Sequence, residues 1–80
     1  MLITVRFFAS YADSLGCVRT QLALDPGSRV SDVLASVSRL PGAQALPRNP
    51  RVAVNQVFAA ADTLLQTGDE VALIPPVAGG

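Results

Sequence analysis

The chain has eighty residues with six arginines, six acids, no lysine and no histidine; it is formally neutral, and half its residues are apolar. That length gives one domain with a small core, and so neutral and apolar a composition excludes a disordered chain or a nucleic-acid binder with a basic face. With a single cysteine, Cys17, the chain cannot by itself form an internal disulfide, a zinc site or a Cys-His nucleophile, and the lone thiol fits a reducing, cytoplasmic setting.

No apolar run approaches the ~20 residues of a membrane span. Met1 to Arg6 alternates like a strand and has no basic leader, so it is not read as a signal peptide. The arginines are scattered and read as solvated surface.

Ile3, Val5 and Phe7 alternate with Thr4 and Arg6, the period of a strand with one buried face, which leaves Phe8 on the other. Ser10-Tyr11-Ala12-Asp13 offers a capping-box pattern and Gly16 a stop, so one or two helical turns fit between them. Val18, Thr20, Leu22 and Leu24 then alternate as a second strand, with Cys17 a small packing residue at its start. Asp25-Pro26-Gly27 is a turn, and Ser28 reads as the N-cap of a helix carrying Val30, Val33, Leu34, Val37 and Leu40 on one stripe. Asp32 and Arg39 suit the two ends of that helix, and Pro41-Gly42 stops it.

Residues 42–50 hold two prolines and no periodicity, and read as a loop. Arg51 to Val54 is a short strand, Asn55-Gln56 a tight turn, and Val57 to Ala59 the return. Asp62 to Leu65 reads as one helical turn, Thr67 to Glu70 as a turn, and Val71 to Ile74 as the last strand. A hairpin, one helix and further strands make a two-layer α+β domain with the helix on one sheet face. By alternation the other face carries Phe8, Phe58 and Ile74. Large apolar groups on an open face mark a partner site, unless loop 42–50 folds over them.

Pro75 and Pro76 lack an N–H and cannot continue a sheet ladder. Residues 1–74 therefore read as the domain, and 75–80 as a tail of Pro75, Pro76, Val77, Ala78, Gly79 and Gly80 reaching roughly 20 Å at full extension. Gly79-Gly80 has no Cβ and suits a channel too narrow for other residues, though an inert chain end also looks like this. If the protein takes part in chemistry, the inventory points away from side chains and toward the terminal carboxylate. The absence of lysine means that an activated terminus would meet no side-chain amine within its own chain.

With these pieces placed, the chain resembles the small subunit of molybdopterin synthase, a sulfur carrier of the ubiquitin-like β-grasp family. The match rests on Phe7-Phe8-Ala9, on Ala53-Val54-Asn55-Gln56, and on Gly68-Asp69-Glu70-Val71-Ala72 running through Pro75-Pro76 to Gly79-Gly80. The resemblance implies a mixed sheet packed on one main helix with a protruding C-terminal tail. It also implies that an activating enzyme uses ATP to adenylate the carboxylate of Gly80, that a persulfide donor turns it into a thiocarboxylate, and that a large subunit receives the arm. Sulfur would then pass to cyclic pyranopterin monophosphate during molybdenum cofactor synthesis. The expected assembly is a heterotetramer of two small and two large subunits, with no permanently bound cofactor or metal and no nucleic-acid or membrane partner. The chain would be a sulfur-donating subunit and not an enzyme alone.

Ordering six tail residues costs about 6–12 kcal/mol, less what the prolines have already fixed. Docking is therefore expected to begin on the body, through Phe8, Phe58 and Ile74. A sulfur carrier for thiamine synthesis, a ubiquitin-like modifier joined to lysines of other proteins, and a plain interaction domain remain as other readings.

Overall fold

The alternation in the first residues becomes an edge-to-centre layout once the strands pair. The computed structural model describes residues 1–76. Its elements are β1 (Leu2–Phe7), α1 (Ala9–Leu15), β2 (Arg19–Ala23), α2 (Val30–Val37), β3 (Arg51–Val54), β4 (Val57–Phe58) and β5 (Glu70–Ile74), with a single 3-10 turn at Ala43–Ala45. They form one mixed sheet in the order β2-β1-β5-β3-β4. β1 pairs antiparallel with β2 and parallel with β5, and β5 pairs antiparallel with β3.

The last strand thus lies in the middle of the sheet, clamped on both sides. Its Val71, Ala72 and Leu73 are all buried, the continuous apolar run of a central strand. Val30, Val33 and Val37 of α2 bury one helix face against Ile3, Val5, Phe7, Val71 and Leu73. Cys17 packs against the same core, as its sequence context suggests.

The structure corrects four local readings. The first helix is capped by Phe8, with no side-chain cap, and not by Ser10. α2 starts after Arg29, not Ser28: the Ser28 hydroxyl donates to Asp25 O at 2.7 Å and closes the preceding turn. Ser28 and Arg29 are held extended by the segment crossing them, through Leu65 N–H to Ser28 O and a bridge from Arg29 to Leu64.

That segment is the third correction. Asp62 to Leu65 makes no helical turn, because its backbone is used elsewhere. Val30 N–H donates to Thr63 O at 3.0 Å and Ser31 N–H to Ala61 O at 2.8 Å, so tertiary carbonyls satisfy two orphan amides of the helix start. Asp32 Oδ2 accepts the Arg29 N–H at 2.7 Å, and Arg29 Nη1 donates to Asp62 O at 2.6 Å. Last, α2 ends at Val37, before Leu40 and Arg39. The chain tightens there into three-residue closures, Arg39 N–H to Ser36 O and Leu40 N–H to Val37 O.

Residues 42–50 are a loop containing the 3-10 turn. Gly42, at φ 90°, lies so close to α1 that a Cβ there would sit 2.0 Å from Ser14 O. Val77, Ala78, Gly79 and Gly80 lie outside the described residues.

Candidate functional site

Residues of one parity along each strand share the face turned away from α2. In register, Arg19, Arg6, Ala72, Ala53 and Phe58 form one row across all five strands. The next row pairs Ile74 with Arg51. Phe8 is extended, at φ −123° and ψ 151°, so it keeps the parity of β1 and stands level with Ile74. The sequence expectation that Phe8, Phe58 and Ile74 share an open face is what the register gives.

Phe58 is 65% exposed and Phe8 38%, while Ile74 is half-buried. Between them Ala72 and Ala53 are buried, covered by the side chains around them, and the exposed rings form a shallow apolar seat above. Loop 42–50 leaves this face open. It crosses to the helix side, where Ala43, Leu46 and Pro47 enclose a hollow of about 510 Å³ with Leu34 and Val37.

Each anchor is fixed by local structure. Phe8 joins β1 to α1, its carbonyl accepting the Tyr11 N–H at 3.0 Å while Tyr11 is buried behind it. Phe58 follows a two-residue turn in which Asn55 and Gln56 both have positive φ, 50° and 71°, the primed geometry that suits strand twist. Ile74 closes β5, and the half-buried Pro75 and exposed Pro76 carry the chain off the sheet beside it. The expected tail residues beyond Pro76 fall outside the described part.

The arginines lie at the surface, as the sequence reading has them, but two of them also lie against the aromatic side chains of this face. The Arg6 guanidinium lies 5.0 Å from the Phe8 ring centroid, and that of Arg51 lies 5.2 Å from the Phe58 ring centroid. Such contacts contribute about 0.5–1 kcal/mol each at exposed sites. Arg6 also meets Glu70 at 3.6 Å on the same face. Parity with Phe8 was the available signal, since Arg6 is two residues before it. Arg51 needed the β3–β5 register to be placed.

Among the described residues no group of three metal-ligating side chains comes together, and no helix is long and apolar enough to cross a membrane. A mixed sheet with a parallel central pair, clasping one main helix and sending its last strand out beside an open apolar face, is a ubiquitin-like β-grasp domain of the carrier type.

The chain belongs to the ThiS family of ubiquitin-like sulfur carriers, whose sequence pattern matches residues 5–80. The crystal structure of small archaeal modifier protein 1 (SAMP1) from Haloferax volcanii is similar, with a TM-score of 0.87 and 29% identity over 100% of both chains. SAMP1 from Methanosarcina acetivorans has the same fold, with a TM-score of 0.80 and 24% identity over 99% of this chain and 96% of that one. So does a chain in the complex of subunits 1 and 2 of molybdopterin-converting factor from Helicobacter pylori, with a TM-score of 0.76 and 23% identity over 100% of both.

Proposed function

We propose that this chain is the sulfur-carrying small subunit of molybdopterin synthase, working through the carboxylate of Gly80. The observation that carries the reading is the continuity of the open seat, Phe8, Ile74 and Phe58, with the point where Pro75 leaves the sheet. A partner that docks on the seat lies where the arm departs. The ThiS family supports the sulfur-carrier part of this reading, and a chain of the same fold stands in a complex of molybdopterin-converting factor subunits 1 and 2.

The chemistry follows from the state of the terminus. An α-carboxylate with a pKa near ~3.5 is ionised at neutral pH and is a poor electrophile. Attack of that carboxylate on the α-phosphate of ATP, in the activating enzyme, releases pyrophosphate and leaves an acyl adenylate. The terminal sulfur of a persulfide then displaces AMP at the carbonyl carbon to give an acyl disulfide. A second thiol attacks the donor's sulfur in that bond, releasing the thiocarboxylate and leaving a disulfide on the donor. The large subunit admits the arm, and the sulfur is passed to cyclic pyranopterin monophosphate. With no lysine or histidine in the chain, proton transfer falls to the partners.

A second reading has a specific observation behind it: the similarity to a protein named as a modifier, at 29% identity over the full length. In that reading Gly80 is joined to amines of other proteins. Intact-mass spectrometry after incubation with ATP, the cognate activating enzyme and a sulfur source separates the two. Exchange of one terminal oxygen for sulfur supports the carrier, and a ladder of covalent adducts on cellular proteins supports the modifier.

A further inference from the structure

The chain is neutral overall, yet its charges are sorted. The open sheet face carries three arginines, Arg6, Arg19 and Arg51, against one carboxylate, Glu70. The other three arginines, Arg29, Arg39 and Arg48, are outnumbered by the five aspartates, none of which lies on the strands of that face. Arg6 and Arg19 are directly opposite one another across β1 and β2. Like charges in that register repel and destabilise the pair, and an unforced sequence would place an acid or a threonine there. Glu70 holds Arg6 at 3.6 Å, which leaves Arg19 and Arg51 as the guanidiniums of that face with no ion-pair partner among the described residues. Charges set there without a partner in the fold point to something outside it.

The geometry defines what that is. Arg51 lies over the Phe58 ring, which fixes its guanidinium plane while leaving its N–H edge to donate to a carboxylate, whereas Arg6, over Phe8, already meets Glu70. Arg19 stands on β2 and Arg51 on β3, three strand spacings apart, or about 14 Å. Between them are Ala72 and Ala53, bounded by Ile74 and Phe58.

We infer that the open face is built for a partner protein whose contact surface presents an apolar side chain to the Phe8–Phe58 seat, flanked by carboxylates that meet Arg19 on one side and Arg51 on the other. This rests on the docking role proposed above and adds its specificity. The phenylalanines hold the partner, and the arginines select it and speed its arrival. Charge of one sign on a face raises association rates by about 10 to 1,000-fold at low ionic strength and is screened within about 10 Å at 0.1 M salt. Such charge acts on the on-rate far more than on the off-rate.

Two measurements test it. On the free chain, Arg19→Glu raises the urea midpoint by removing the repulsion with Arg6, and the gain shrinks as salt is added; an unchanged or lowered midpoint overturns the inference. In stopped-flow mixing of the whole chain with the cognate molybdopterin synthase large subunit, the wild-type association rate falls steeply with salt. The R19E/R51E double variant associates about tenfold or more slowly at low salt, with a dissociation rate close to wild type. A salt-independent rate, an unaffected double variant, or dimerisation of the free chain through this face overturns it. If the wild-type chain does not bind that large subunit, the molybdopterin assignment falls instead. The same rates are then read against the cognate activating enzyme, where indifference to R19E/R51E overturns the inference.

Discussion

Asn55 donates through Nδ2 to Asp69 Oδ1 at 2.9 Å, joining the β3–β4 turn to the turn that feeds β5. Asn55 Oδ1 accepts the Glu70 N–H at 3.0 Å, its own N–H donates to Glu70 O at 2.8 Å, and Asp69 Oδ2 accepts the Gln66 N–H at 2.8 Å. Two of the stretches that carried the resemblance, Ala53 to Gln56 and Gly68 to Ala72, are therefore one structural unit. It sets the register of β3 on β5, and with it the alignment of Ala53, Ala72 and Phe58 on the open face.

Asp69→Ala removes both acceptors from this clip. Because the bonds are exposed, the expected loss is about 1–2 kcal/mol and not more. A shift in urea midpoint with an unchanged slope checks it. A neutral result would mean that the turns are held by their backbone bonds alone.

Gly42 and Gly68 separate two uses of glycine. Both have positive φ, 90° and 88°, but a Cβ at Gly42 would meet backbone Ser14 O at 2.0 Å, whereas one at Gly68 meets open space. Gly68→Ala is expected to cost about 1 kcal/mol, from backbone strain alone. Gly42→Ala must also push the loop off α1, and should cost at least twice as much. Equal melting temperatures for the two variants would refute the close approach of the loop to α1.

Phe58→Asp tests the seat. At 65% exposure Phe58 gives little to the fold beyond its contact with Arg51, so stability should fall by no more than about 1 kcal/mol. As an aromatic anchor at an interface its loss should cost about 2 kcal/mol of binding, near thirtyfold in affinity for the large subunit. Unchanged affinity by calorimetric titration would remove the docking role.

Adding one residue after Gly80 tests where the chemistry resides. An uncleaved extension leaves the body intact but moves the carboxylate, and should abolish the oxygen-for-sulfur exchange seen by intact mass. Persisting molybdenum-cofactor formation with the extension still attached would defeat the proposed function.

What was legible from the residues was whatever short-range pattern encodes. Alternation at Ile3, Val5 and Phe7, the stripe at Val30, Val33 and Val37, and the Asn55-Gln56 turn all depend on neighbours a few positions away, and each stands in the structure. The missed features depend on contacts from far along the chain. Ser28 lost the helix cap and Asp62 to Leu65 lost its helical turn because these two segments bond to one another across more than thirty residues. That Arg6, Arg19 and Arg51 share one sheet face was not legible, because a charge read alone has no face.

The sequence by itself determined the α+β class, the shared face of Phe8, Phe58 and Ile74 but not its openness, and the likeness to β-grasp carriers, since periodicity and a proline stop are written in adjacent residues. Only the tertiary structure decided that β5 pairs between β1 and β3, and so which charges share that face. Strand order is fixed by burying the most apolar strand on both sides, and Arg6 comes to oppose Arg19 and flank Phe8 only once that burial has set the register.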